Sequence, residues 1–242
     1  MSTASTVEVE VKTAQPKVRD WRRIIQMSGT MVLWVAAVFV AAGRIDWLRG
    51  WIWVATFVVG MGAASVLVRR KNPELMEARM KWRRKDAKLF DKVILSIYLP
   101  LTFLQPILAG LDAVRFRWSA MPFATVYVGL CLLAIALIPI TWVLLVNPYA
   151  ETSVRIQTER GHQVVTSGPY RFVRHPMYVC LILDHPAIAL ILGSMWALAL
   201  SGVLAILMVW RTALEDRTLR RELPSYEEFT CVTRYRLIPG LW

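Results

Sequence analysis

The apolar stretch at residues 179–210 constrains this fold more than any other feature of the chain. It runs for 32 residues, too long for one ordinary membrane-crossing helix at about 1.5 Å per residue. Gly193 and Ser194 stand near its centre, so the run reads as a helical hairpin with two short arms. A single tilted span with a cytoplasmic extension is the alternative. Four more apolar runs, roughly 24–42, 51–68, 93–110 and 124–146, each approach the roughly 20 residues a spanning helix needs. The composition agrees: 56% of the 242 residues are hydrophobic and 19% charged, more apolar than a soluble surface allows.

Charge decides between the two readings of 179–210. The net charge is +12, but the basic residues come in short blocks between apolar runs, the pattern of a polytopic protein facing anionic lipid rather than nucleic acid. Lys and Arg number 5 in 1–23, 10 in 69–92, 4 in 147–177 and 6 in 211–242, against 2 each in 43–50 and 111–123. With a hairpin, every rich segment falls on one side and both poor ones on the other. The expectation is therefore an all-α integral membrane protein with five to six transmembrane segments. Both termini would be cytoplasmic, on a bacterial inner membrane. Its parts would be a flexible N-terminus 1–23, four spans within 24–146 with a basic amphipathic loop 69–92 on the headgroups, and a C-terminal region 147–242. The N-terminus lacks signal-peptide character, since the first apolar run starts near Ile24 with no cleavage site after it. Trp47, Trp51 and Trp53 are placed for an interfacial belt, and Pro100 and Pro106 for kinks in the third span.

Between two apolar runs the chain concentrates polar chemistry in GPYRFVRHPMY, residues 168–178. Pro176 suits the first position of a helix, where its fixed φ fits and no N–H is needed. The positive end of that helix, with Arg174 and His175 beside it, makes a receptor for a carboxylate or phosphate. Gly168-Pro169 signals a turn folding the loop back on this point. Where the hairpin ends, Arg211 and Glu215 are four apart on one helix face, and Glu215-Asp216 places an acidic pair opposite the basic loop 155–178. Such a pair suits a zwitterionic or cationic ligand. Asp184 and His185 lie inside an apolar run, where ionisable groups are functional candidates by default; pairing with each other or with a neighbouring helix is an equal reading. The spacing of His162, His175 and His185 matches no metal pattern, and Cys131, Cys180 and Cys231 form no disulfide or zinc framework.

RGHQVVTSGPYRFVRHPMY followed by RTALEDRTLRRELPSYEEFTCVTRYRLIPGLW resembles the isoprenylcysteine carboxyl methyltransferase family, a group of membrane methyltransferases related to the phospholipid N-methyltransferases, in a bacterial form. The match covers roughly 147–242. The resemblance implies S-adenosyl-L-methionine as methyl donor, held in a cytoplasmic pocket built from the C-terminal third without a Rossmann domain. It implies cofactor contacts from His162, Gly168, Pro169, Tyr170, Arg174, His175, Pro176, Tyr178, Glu215 and Asp216. Arg211 would orient the acceptor, with Glu215 sharing the catalytic role. Asp216 stands where the family has a second Glu. Cys180 stands where it often has Gly, a change that would narrow the cleft.

Methyl transfer from a sulfonium is an in-line displacement that depends on orientation and desolvation of the acceptor. A carboxylate acceptor would dock on Arg211, whereas an amine would need Glu215 or Asp216 as base. The partners implied are a lipophilic or lipid acceptor and membrane lipids, with no nucleic acid; the oligomeric state is not written in the sequence. Two other classes share parts of this pattern: a sterol-reductase-type membrane enzyme using NADPH, and a non-catalytic binder of anionic lipid headgroups.

Overall fold

A computed structural model describes residues 21–80 and 85–242, with side chains from Ser28 onward. The expected flexible N-terminus therefore lies, up to residue 20, outside the described residues. The elements are α1 (Trp21–Ala42), α2 (Leu48–Lys71), α3 (Pro73–Met80), α4 (Leu89–Gly110), α5 (Thr125–Val146), α6 (Pro176–Leu192), α7 (Met195–Glu222) and α8 (Tyr226–Val232). No strand occurs among the described residues. α4 runs through both Pro100 and Pro106 and then widens into a π-helical turn, Leu111–Phe116. Four helices are long and apolar enough to cross a membrane, within 48–71, 89–116, 125–146 and 195–222, while 28–42 and 176–192 are shorter apolar helices. The architecture is that of an all-α integral membrane protein.

The long run divides where its sequence indicates. Gly193 takes φ +81°, a left-handed conformation open to glycine at little cost, and Ser194 caps α7 by accepting a hydrogen bond from Ala197 N. The hairpin tip lies at the same end as the two segments poor in Lys and Arg. Asp112 Oδ2 accepts from Ser119 Oγ at 2.7 Å and Ser194 Oγ at 2.5 Å. Arg49 donates to the carbonyls of Met121, Pro122 and Leu190 at 2.8–3.2 Å, quenching the carbonyl-rich end of α6. At the opposite end, Asn72 Nδ2 caps α5 through Leu144 O and Leu145 O. Lys88 N there donates to Val154 O. The described parts of the basic segments 69–92, 147–177 and 211–242 gather at this second end.

α6 is the central post, packed on α5, α7, α4 and α2. Its contact with α5 is close enough that a Cβ on Gly129 would meet Ile191 Cγ1 at 2.7 Å and Ala187 O at 2.8 Å, the small-residue approach that membrane helices use. Within this bundle His185 finds its partners on α4, not in Asp184. Tyr98 Oη lies 2.7 Å from its Nε2 and Gln105 Oε1 lies 3.0 Å from its Nδ1. Gln105 Nε2 reaches on to His185 O and Ser201 Oγ. This buried network satisfies every polar tip it contains, as an apolar surrounding requires.

The tryptophan belt is corrected in part. Trp51 is exposed and donates to Ile45 O, but Trp47 and Trp53 are buried, with Trp34 against Trp53 at 5.1 Å. Residues 51 and 53 are two apart on a helix, about 200° around its axis, so one faces lipid and the other the core.

Candidate active site

The second end of the bundle holds a cleft between the start of α6, the last turns of α7, and the loop 147–175. Its interior is a narrow slot of about 90 Å³, and about 790 Å³ of atom-free space is counted when the crevices and open mouth are included. Tyr170, His162, Tyr149 and Val164 form one wall. Leu223, Tyr226 and Phe229 form another, packed with Ile156, Val164, Tyr170 and Leu219.

α6 begins at Pro176 with His175 as its N-cap, so the expected proline position is where the helix starts. One turn on, Tyr178 is buried and donates its hydroxyl to Glu215 Oε2 of α7. Arg211, one turn before Glu215, stacks its guanidinium 5.2 Å from the Tyr178 ring centroid. Arg211 Nε donates to Asp91 Oδ1 and Nη2 to Thr152 O, both at 2.7 Å, leaving Nη1 without a hydrogen bond among the described residues. Asp91 Oδ2 in turn accepts from Val154 N at 2.8 Å. One carboxylate thus ties the start of α4, the loop and α7 together. Asp91 was not singled out in the sequence, where it looks like an ordinary acid at a helix N-terminus. Ser153, equally unmarked in the sequence, lines the cleft with a buried Oγ that has no hydrogen-bond partner among the described residues.

His162, Tyr170, Arg174, His175, Pro176, Tyr178, Arg211 and Glu215 all line this cleft; Gly168, Pro169 and Asp216 do not. Gly168 and Pro169 form a 3-10 turn, Gly168–Arg171. Gly168 has φ +62° and packs on Trp142. Their part is to aim Tyr170, whose hydroxyl accepts from Asn147 Nδ2 at 2.6 Å. Asp216 points away from the slot and is wholly buried, because its oxygens are claimed by the protein. They meet Arg174 Nε at 2.8 Å, Arg236 Nε at 2.9 Å, the Tyr226 hydroxyl at 3.1 Å and His175 Nε2 at 3.4 Å. Arg174 completes its set with the carbonyls of Thr233 and Arg234. The acidic pair therefore divides its labour, Asp216 as a structural hub and Glu215 at the slot. Cys180 does not narrow the cleft: it is buried and absent from the lining, since two residues beyond Tyr178 is the far side of the helix.

The loop wall carries its own electrostatics. Arg155 is buried and bonds Glu151 through two 3.0 Å contacts, with Glu159 and Asp86 at 2.7 and 3.1 Å; these acids hold its charge firmly. His162 packs 4.5 Å from the Tyr149 ring. Burial, then the nearby Arg155, push its pKa below the ordinary 6.5, so the imidazole is neutral at pH 7. Burial raises the Tyr170 hydroxyl, keeping it protonated.

The chain is thus a helical membrane bundle with a polar slot at one end. Residues 124–224, covering α5, the loop, α6 and α7, match the family model described as phospholipid methyltransferase. The match covers less than half of the chain, is to a family of membrane methyltransferases, and accords with the resemblance read from the motifs. The chain is also similar to the cobalt-zinc-cadmium resistance protein CzcN of Cupriavidus metallidurans, 40% identical over 81 residues, 31% of this chain and 35% of that protein. The chain thus matches only about a third of the length of this curated relative.

Proposed function

We propose that the protein transfers a methyl group from S-adenosylmethionine to a lipophilic acceptor at the cytoplasmic edge of a bacterial inner membrane. The observation that carries this reading is the Tyr178–Glu215–Arg211 cluster inside the slot, on the region that matches the methyltransferase family. When bound, the cofactor supplies an electrophilic methyl on a sulfonium. The residues present fit such a group. Glu215 offers a carboxylate, and Tyr170 and Tyr226 line the slot with aromatic rings suited to a cation. Ser153 Oγ offers a donor to an anionic part. The slot is narrow, so a ligand of this size seats with outward adjustment of the wall formed by 155–167.

Glu215 and the slot's tyrosines would hold the cofactor, and Arg211 would hold the acceptor in line with the methyl group the cofactor would supply. The chain's task is to hold both partners in line and dry. Arg211 is fixed by Asp91 and Thr152 O, so its remaining amino group is an oriented donor for the acceptor rather than a swinging arm. Among the described residues no three His, Cys, Asp or Glu side chains are grouped to hold a metal ion.

Calorimetry on the purified protein tests the reading, with S-adenosylhomocysteine and NADPH as ligands. The expected result is binding of S-adenosylhomocysteine, weakened tenfold or more by Glu215→Gln. Binding of NADPH in its place would instead establish the reductase class.

A further inference from the structure

A cavity of about 510 Å³ lies at the end of the bundle opposite the slot, beside the hairpin tip. Phe123 lines this cavity and Asn147 lines the slot, with α5 between them, a rise of about 33 Å. A ligand here is therefore out of reach of the methyl-transfer site. Arg49 is the second residue of α2 and Phe123 stands two before α5, both helices of membrane-crossing length. The cavity thus sits at the boundary of the apolar layer, the level of lipid phosphates. Leu48 and Phe123, both exposed, put apolar surface into its lining.

The charges in this lining do not balance. Arg44, Arg49 and Arg117 line the cavity with one acid, Asp46. Arg44 Nε and Nη2 already take both oxygens of Asp46, at 2.7 and 2.5 Å. Arg49 is satisfied by uncharged oxygens, Thr125 Oγ1 and the carbonyls of Met121, Pro122 and Leu190. Arg117 makes no side-chain hydrogen bond or ion pair among the described residues. The other acid at this end, Asp112, is buried and outside the lining. Its Oδ2 is held by Ser119, Ser194 and Trp196 N, and its Oδ1 has no partner among the described residues. Arg115 bonds Val40 O. The backbone singles out Arg117 as well. It ends the π-helical turn Leu111–Phe116 at φ +54° and ψ 38°, a left-handed form that glycine or asparagine takes most readily. The chain carries an unpaired long cation where a helix end is easiest with glycine, and strain of this kind collects at ligand sites.

We propose that this cavity binds an anionic phospholipid by its phosphate, with Arg117 as the principal donor and Arg44 and Arg49 adding charge. A guanidinium can hold two phosphate oxygens at once, and Leu48 and Phe123 meet the start of the acyl chains. The lipid is a fixed part of the bundle rather than a substrate. Leu192 and Gly193 line the same cavity, so the bound phosphate braces the tip of the α6–α7 hairpin. The inference is independent of the methyl-transfer reading.

The test titrates the intact, detergent-solubilised protein with dihexanoyl phosphatidylglycerol and follows the species carrying one lipid by native mass spectrometry. Dihexanoyl phosphatidylcholine and inorganic phosphate are the comparisons. The expected result is phosphatidylglycerol binding at least tenfold tighter than phosphatidylcholine. Arg117→Gly and Arg117→Asn each weaken it fivefold or more, while Arg117→Lys retains binding. Both weakening variants suit the left-handed backbone, so their lipid-free thermal midpoints equal or exceed that of the wild type, which separates lost binding from lost fold. Equal affinity for the two lipids would overturn the proposal, as would wild-type affinity for phosphatidylglycerol in the Gly and Asn variants. Inorganic phosphate displacing the lipid at equal concentration would also overturn it, by assigning the site to free phosphate.

Discussion

Replacing Asp91 by Asn is the sharpest probe of how this site is held. The two side chains have the same shape, yet both Asp91 oxygens act as acceptors, one for Arg211 Nε at 2.7 Å and one for Val154 N at 2.8 Å. An amide has a single acceptor oxygen, so whichever way it turns, its NH2 faces one of these donors. The Asp91 side chain is wholly buried and that of Arg211 is 5% exposed, so water cannot repair the contact. Losing a hydrogen bond to a charged group costs about 1.5–3 kcal/mol, and stripping one partner from a buried ion pair about 3–5 kcal/mol. These overlap rather than add, giving an expected loss of about 3 kcal/mol. Unfolding of the detergent-solubilised variant by SDS or heat reads the loss directly. Pairing it with Arg211→Gln in a double-mutant cycle should show coupling of about 1 kcal/mol or more. Methyl transfer should fall further than S-adenosylhomocysteine binding, because the freed guanidinium no longer aims at the acceptor. Stability within about 0.5 kcal/mol of wild type, the range of a surface substitution, would refute the reasoning.

Asp216→Asn should destabilise by a similar 3–5 kcal/mol, measured by the same unfolding assay, because Arg174 and Arg236 lose the charge that gathers them. Gly193→Ala should cost at least about 1 kcal/mol in that assay: φ is +81°, and the new Cβ would stand 2.5 Å from Arg49 Nη1, which its carbonyl partners hold in place. Tyr178→Phe keeps the ring under Arg211 but removes the donor to Glu215; methyl transfer should drop tenfold or more with the unfolding midpoint little changed. His162 supplies a pH dependence. Its folded pKa lies below the ordinary 6.5, so its contribution to stability is complete above about 6.5 and is lost as pH falls toward the lowered value. Beside Arg155, Arg160, Glu151 and Glu159, His162→Gln should leave stability at pH 8 nearly unchanged and flatten the acid limb of the unfolding profile.

Much of the scaffold is legible in the sequence. Hydrophobic run lengths place the helices, and the split at Gly193–Ser194 follows from length and charge together. Pro176 marks the start of α6 because its geometry is local. The clustering of His162, Tyr170 and 174–178 was visible because those residues lie within one loop and one turn. The partners of these residues were not visible. Arg211 and Glu215 look like a surface pair at i,i+4, but their bonds go to Asp91 and Tyr178, 120 and 37 positions away.

The sequence by itself determined where the chain enters and leaves the apolar layer and which end carries the polar chemistry, because both depend on the solvent each residue tolerates. Only the tertiary structure decided how adjacent residues divide their roles. Glu215 faces the slot and Asp216 the protein, Trp51 faces lipid and Trp53 the core, and His185 joins a network that Asp184 does not. Neighbours on a helix point about 100° apart, so which of them meets a ligand is set by what packs alongside, and that is a property of the assembled bundle.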